Sequence, residues 1–328
     1  MIRTPLCELL GIEHPILQGG MAWAANAELA AAVSNAGGLG IVGAGNAPPE
    51  AVRRELHLVR ELTDRPFGAN VPVFTAGVEE TLQVFVDEGV SVVTVGGGNA
   101  GPYLEPLQRA GIRVIPVVAS VALARRTARQ GVDALIAEGQ ESGGHIGDVA
   151  TLPLVPQVVD AVDIPVVAAG GIADGRGLAA ALALGAVGVQ MGTRFICATE
   201  CQAHRNYKQK IVRAHDRSTM VTGGSFGHPV RCIRGPFVRR FEEVERRGVS
   251  EEEFLDLGAG TLRAAIVDGD VERGSVMAGQ SAGLVDDVVP VKVLIERIMT
   301  EAETVIRRNA AQVFPAADSQ SGGGSCKG

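Results

Sequence analysis

Eight short apolar runs, each closing on glycine or a small polar residue, recur along the 328-residue chain with helical patterns between them. They are PILQGG from Pro15, GLGIVG from Gly38, FGANVPV from Phe67, VVTVGGG from Val92, RVIPVVA from Arg113, ALIAEG from Ala134, PVVAAGG from Pro165 and GVQMGTR from Gly188. Continuous apolar strands of this kind are buried on both faces, and a β-then-α alternation makes neighbouring strands parallel. The intervening segments carry helix signals. NAELAAAVSNAGG opens at a candidate N-cap, Asn26, and stops at Gly37; PPEAVRRELHLVRELTD has proline near its first turn and apolar periodicity; SVALARRTARQG starts on Ser120 and ends on Gly131. Eight such units can close on themselves, which predicts an α/β fold, a (β/α)8 TIM barrel. An open doubly wound sheet more often has about five to seven strands, and the first unit, ILQGGMAWAAN, lacks the GxGxxG fingerprint of that class.

The pattern changes after the eighth run. From about Cys201 to Asp270 the charge density rises around RCIRGPFVRRFEEVERRGVSEEEF, which reads as a helical insertion or lid over 201–270. DGDVERGSVMAGQSAGLV then returns to glycine-rich loop character, and VVPVKVLIERIMTEAETVIRR is an amphipathic terminal helix. The expected organisation is a barrel over 1–200 and 271–310, the insertion between them, and a disordered tail over 311–328. With 46% hydrophobic and 20% charged residues the chain can bury a sizeable core. A net charge of −7 opposes broad nucleic-acid binding, which needs basic surface. Five cysteines form no disulfide-like framework, and Cys197 and Cys201 lack the second pair a zinc site would want. Neither a signal-peptide core nor an apolar run of membrane-spanning length is present. The expectation is a cytoplasmic protein with reduced thiols and no membrane partner.

In such a barrel, chemistry gathers where the strands end, because eight loops converge there. Those ends hold Gln18-Gly19-Gly20-Met21, Gly43 to Asn46, Asn70, Gly96 to Asn99, Glu138 to His145, Ala169-Gly170-Gly171 and Met191-Gly192-Thr193. The last two are the most informative. Gly170 and Gly171 precede a helix expected near Ala173, and Gly192-Thr193 follows the eighth run; glycines let backbone N–H groups approach a phosphate, and a helix N-terminus adds favourable partial charge. Small residues at strand ends also simply allow close packing, so both readings stand at this level. A single monophosphate among apolar, glycine-rich walls suits FMN, with the Gln18 and Asn70 amides available to a ring edge. Met21 could pack on that ring or merely fill the core. His145 lies in EGQESGGHIGD, behind Ser142-Gly143-Gly144. The other five histidines are scattered, which disfavours a metal, and a general acid/base or hydrogen-bond role competes with a structural one. Glu138 could hold a cofactor or loop amide, or be a satisfied structural carboxylate.

Together, HPILQGGMAWAANAELAAAVSNAGGLGIVGAGN, EGQESGGHIG, VVAAGGIADGRG, VQMGTRF and GSVMAGQSAGLV resemble the FMN-dependent nitronate monooxygenase-like barrels. Within them the resemblance is to the enoyl-acyl carrier protein reductases of type II, from about Thr4 to Ile306. It implies bound FMN, a homodimer, and reduction of trans-2-enoyl thioesters on acyl carrier protein with NADH or NADPH in fatty-acid elongation. By position, His145 would be the active-site histidine. Gln18, Gly20, Met21, Asn70, Glu138, Ser142, Gly143 and Gly144 would line the flavin or its ribityl chain. Gly170, Gly171, Gly192 and Thr193 would bind the phosphate, and Met277, Gly279 and Gln280 would return to cover it. Members of the group can also need a monovalent cation, for which no motif locates ligands. The same resemblance carries an alternative, oxidation of alkyl nitronates with O2. Arg231, Arg234, Arg239 and Arg240 in the insertion, with Arg205, Lys208 and Lys210 upstream, are candidates to steer an acidic carrier protein, or a solvated face paired with Glu242, Glu243 and Glu245.

Overall fold

A computed structural model describes residues 2–45 and 47–313. Each of the eight apolar runs holds one barrel strand: β1 (Ile16–Gln18), β2 (Gly40–Gly43), β3 (Phe67–Pro72), β4 (Val92–Gly96), β5 (Arg113–Val118), β6 (Leu135–Glu138), β8 (Val166–Ala169) and β9 (Gly188–Met191). A further two-residue strand, β7 (Gly144–His145), falls between β6 and β8. The barrel strands are ordered β1-β9-β8-β6-β5-β4-β3-β2, all parallel, and the Leu17–Leu39 bridge brings the last strand back to the first. The sheet is a (β/α)8 barrel.

Local chemistry sets the intervening helices. Asn26 caps α2 (Ala27–Asn35) by accepting from the Leu29 N–H, and Ser120 caps α6 (Val121–Ala128) by accepting from Leu123. Pro49 opens α3 (Pro49–Leu62), where its missing N–H is no loss. A short first helix, α1 (Pro5–Leu10), seals the N-terminal end of the barrel. Its Leu6 and Leu10 pack with Leu17, Leu39, Ile41, Val92, Ile115, Ile136 and Val167 in a core separate from the one beneath the outer helices. Truncating such a leucine to alanine costs about 2–5 kcal/mol. With that end filled, the C-terminal end is the one that can receive a ligand.

The insertion is mostly helical but also carries a hairpin. After α10 (Arg205–Val212), strands β10 (Thr219–Thr222) and β11 (Val230–Ile233) pair antiparallel, and α11 (Pro236–Arg247), α12 (Glu251–Gly258) and α13 (Thr261–Ile266) follow. The other edge of β11 pairs with β7, so the insertion reaches the barrel mouth as a sheet. The terminal helix α14 (Val291–Val313) packs on α8 (Gly175–Ala183) and takes in the first three positions of the expected tail. The rest of that tail lies outside the described residues.

Candidate active site

The mouth has two shoulders. One is made by the ends of β8 and β9. Gly170 and Gly171 follow β8 at φ +93° and +76°, a backbone region that L side chains rarely adopt. A Cβ on Gly170 would also stand 2.8 Å from the Gly139 carbonyl oxygen. Among the described residues no acceptor sits on the N–H groups of Gly171, Gly192 or Thr193, so this turn presents a set of unpartnered donors. The helix expected near Ala173 starts at Gly175, and its first N–H groups are capped by Asp174, which also pairs with Arg176. The negative cap already occupies that helix end, so any phosphate binding on this shoulder falls to the glycine turn rather than to the α8 dipole.

The other shoulder runs from Glu138 to His145. Glu138 ends β6 and lies opposite Ala169 in the ladder, next to the glycine turn. Burial pushes its carboxyl up to about 7, although the Ser142 hydroxyl pulls the other way. Ser142 Oγ is itself buried and has no partner in good hydrogen-bonding geometry. The loop is braced by Glu141, whose carboxylate accepts the Thr151 N–H at 2.9 Å and so caps α7 (Thr151–Val159). His145 is open to the mouth, yet the surrounding protein and the nearby His228 lower its pKa, first through desolvation and then through charge repulsion. Both effects favour the neutral imidazole over the charged form. The Phe74 ring tilts against it with centroids 4.8 Å apart and is itself 54% exposed.

A third segment covers this shoulder. Gly279 donates its N–H to Thr193 Oγ1 at 2.9 Å, and Gln280 donates its own to the Glu141 carbonyl at 2.8 Å. A Cβ on Gly143 would lie 2.6 Å from the Ala278 carbonyl carbon, and one on Gly279 would lie 2.5 Å from the Glu141 carbonyl oxygen. The two backbones are in contact, and glycine is what lets them meet. Met277 puts its sulfur beside Gly144, and its carbonyl accepts from the buried Tyr207 hydroxyl at 2.7 Å. On the first loops, Gly20 faces Asn70 so closely that a Cβ would be 2.2 Å from Asn70 Cβ, while Asn70 Nδ2 donates to Thr94. Met21 sits with its sulfur against Gly192.

The structure thus gathers the sixteen expected site residues at one end of the barrel. Gln18 differs from the rest in its burial. It is fully buried, its Nε2 donates to the Ile41 carbonyl, and its Oε1 accepts the Ile41 N–H at 3.1 Å. That amide completes the β1–β2 seam and has its hydrogen-bond partners within the chain. The basic cluster needs correction. Arg231 is buried, Lys208 Nζ donates to the Ala198 and Cys201 carbonyls, and Lys210 pairs with Glu272. Arg205, Arg234, Arg239 and Arg240 remain exposed, and none pairs with Glu242, Glu243 or Glu245; the last instead accepts from Gly223 and Ser225. Phe74 had no motif to flag it, and Glu141 was given no role of its own within EGQESGGHIGD, because their roles come from contacts to other loops.

The nitronate monooxygenase family model matches residues 3–81 and 72–301. The chain belongs to the nitronate monooxygenase family. It is accordingly an oxidoreductase. A (3aS,4S,5R,7aS)-5-hydroxy-7a-methyl-1-oxo-octahydro-1H-indene-4-carboxyl-CoA dehydrogenase from Mycobacterium tuberculosis is 37% identical, over 95% of this chain and 99% of that relative. A probable nitronate monooxygenase from Staphylococcus saprophyticus is 32% identical, over 94% of this chain and 99% of its own length. Among solved structures, FabK from Thermotoga maritima superposes with a TM-score of 0.93 at 51% identity, covering 95% of this chain and all of that one. Family membership extends through the insertion, so the sheet that reaches His145 is part of the matched architecture rather than an addition to it.

Proposed function

We propose that this member of the family is an FMN-dependent enoyl-acyl carrier protein reductase, reducing trans-2-enoyl thioesters with NADH or NADPH in fatty-acid elongation. The observation that carries the reading is the likeness to FabK along that protein's entire length, with identity well above that to the monooxygenase-named relative.

The cleft fits FMN. The unpartnered N–H groups of Gly171, Gly192 and Thr193 suit a phosphate, and the close approach of Gly20 to Asn70 fixes that amide beside the first loops. Ser142 Oγ is a buried polar atom without a well-placed partner beside the Glu138 carboxyl, and a ring edge or ribityl hydroxyl would supply one. Bound FMN would supply hydride transfer between the nicotinamide and the β-carbon of the enoyl thioester.

The chain's own residues supply binding and charge stabilisation. Met277 and Gly279 close the cleft from above, and Phe74 gives the acyl chain an apolar wall next to His145. His145 donates one ring N–H to the thioester oxygen as negative charge develops there, and it relays the proton due at the α-carbon from solvent. The exposed Arg205, Arg234, Arg239 and Arg240 offer an acidic carrier protein a docking surface on a chain that is otherwise net negative. A homodimer belongs to the same reading and is checked by light scattering.

Oxidation of alkyl nitronates is the second reading, favoured by the family model and by the monooxygenase-named relatives. One anaerobic experiment separates the two. The purified flavoprotein is bleached with NADH or NADPH and then mixed with crotonyl thioester or with O2. Rapid bleaching followed by enoyl-dependent recovery of colour is expected. Failure of both nicotinamides, with oxygen uptake driven by a nitronate, would establish the second reading in its place.

A further inference from the structure

Histidine 145 stands on a strand only two residues long, too short to hold its own direction. What holds it is the insertion. Val230 lies opposite His145 and Arg231 opposite Gly144, and the Ile146 N–H donates to the Pro229 carbonyl at 3.1 Å. The other edge of β11 is paired over four residues with β10, which makes β11 the rigid partner. One residue further, Cys232 bridges to Met277 and the Ile233 N–H donates to the Val276 carbonyl, so the same strand carries the covering segment.

Arg231 joins these parts. The residue is 6% exposed and forms no ion pair among the described residues; Nε donates to the Gln140 carbonyl at 3.0 Å and Nη1 to Thr219 Oγ1 at 3.2 Å. Its surroundings offer Glu141 as a nearby negative charge, at longer range. A buried guanidinium without a contacting carboxylate is costly, so the two hydrogen bonds it makes are what hold it in place. The planar fork suits the task, since its fixed N–H directions reach a carbonyl on the histidine loop and a hydroxyl on β10 at once. A lysine presents one compact charge and cannot span both.

We propose that Arg231 is a positioning residue: from the insertion, it fixes the Gln140–His145 backbone so that the imidazole meets the acyl thioester in register. This rests on the reading of His145 as the hydrogen-bond and proton partner of the thioester. It has a consequence that a general structural role lacks. Reduction by the nicotinamide does not use His145 in that reading, whereas enoyl-dependent reoxidation does, so loss of Arg231 slows the second half-reaction alone.

The test uses stopped-flow absorbance on the flavin-loaded Arg231→Met and Arg231→Lys variants, with NADH or NADPH and then crotonyl-CoA. Both variants are expected to bleach at near wild-type rate and to reoxidise roughly 10- to 100-fold more slowly. Millimolar guanidinium should restore part of the lost rate in Arg231→Ala. Without any cofactor, hydrogen exchange in the peptide spanning 139–148 should quicken in Arg231→Met while the barrel strands stay protected. Thr219→Val, which removes one acceptor and keeps the fold, should show the same selective slowing in milder form. Equal slowing of both half-reactions, or none in any variant, overturns the proposal. His145→Ala separates its failure from that of the underlying reading. Normal reoxidation in His145→Ala sinks the role of the histidine, whereas slow His145→Ala beside a normal Arg231→Met sinks only the role of the arginine.

Discussion

The two shoulders of the barrel mouth are built on different principles. The glycine shoulder is made by the ends of β8 and β9, strands adjacent in the sheet and close in sequence, and its special backbone is local to Gly170 and Gly171. The histidine shoulder starts on β6 but is completed by Val230 and Arg231 from the insertion and by Met277 to Gln280 beyond it. A barrel can therefore hold its cofactor with its own strand ends, while the chemistry beside that cofactor depends on what has been inserted. In this chain the insertion borders the candidate site, because β11 pairs with the short strand that carries His145.

That comparison predicts a double dissociation. His145→Ala should keep flavin and lose roughly two to four decades of enoyl-dependent turnover, the usual range for a positioned acid–base group. Gly170→Ala should do the reverse. Its Cβ meets the Gly139 carbonyl at 2.8 Å in a backbone region unfavourable to alanine, so the turn must shift, at a cost of about 1–3 kcal/mol. FMN affinity, read by fluorescence titration of the apoprotein, should fall about 10- to 100-fold, with the flavin that remains bound still turning over. Flavin lost from His145→Ala, or retained in full by Gly170→Ala, would show that the shoulders are not separable.

This division also decides what was legible in the amino-acid sequence. Each barrel strand could be placed because every run is apolar and ends in its own turn residues, as at Val166–Ala169 before Gly170. The glycine shoulder was legible for the same reason, since its signal is contained in a few consecutive residues. Strand β7 was not. Gly144-His145 has neither the length nor the composition of a strand, and it pairs because β11 arrives some 85 residues later. Gln18 is engaged through the same kind of non-local event. A polar residue at a strand end looks available to a ligand, and nothing near it in sequence shows that Ile41 takes both ends of its amide. Arg231 belonged by composition to a basic surface, but it is buried in β11 together with Cys232 and Ile233, while Arg234, just past the strand, faces solvent.

The insertion's outer surface extends the contrast to partner recognition. If the exposed arginines receive an acidic carrier protein, Arg234→Glu with Arg239→Glu should raise KM for enoyl-acyl carrier protein by about tenfold, through the lost attraction and an added repulsion. KM for crotonyl-CoA should stay within about twofold, because the small thioester needs only the mouth, and the effect should shrink as salt is raised. Matching losses on both substrates would place the damage in the fold of the insertion.

The smallest expected effect concerns Glu138, where the shoulders meet: it ends β6 and stands opposite Ala169, the residue before the glycine turn. Burial raises its carboxyl from 4.5 to about 7, so the folded state holds that proton more tightly than the unfolded chain does. The sign follows directly. The contribution to stability is complete below pH 4.5, declines as pH rises, and is lost once pH passes about 7. Glutamine keeps the shape and the capacity to donate but cannot ionise. The difference in Tm between apo Glu138→Gln and the apo parent should therefore be near zero below pH 4.5, grow in favour of the variant towards pH 7, and level off above it. A difference that stays flat across that range would mean that the carboxylate is well solvated at the mouth, and that the seam between the shoulders is open to water.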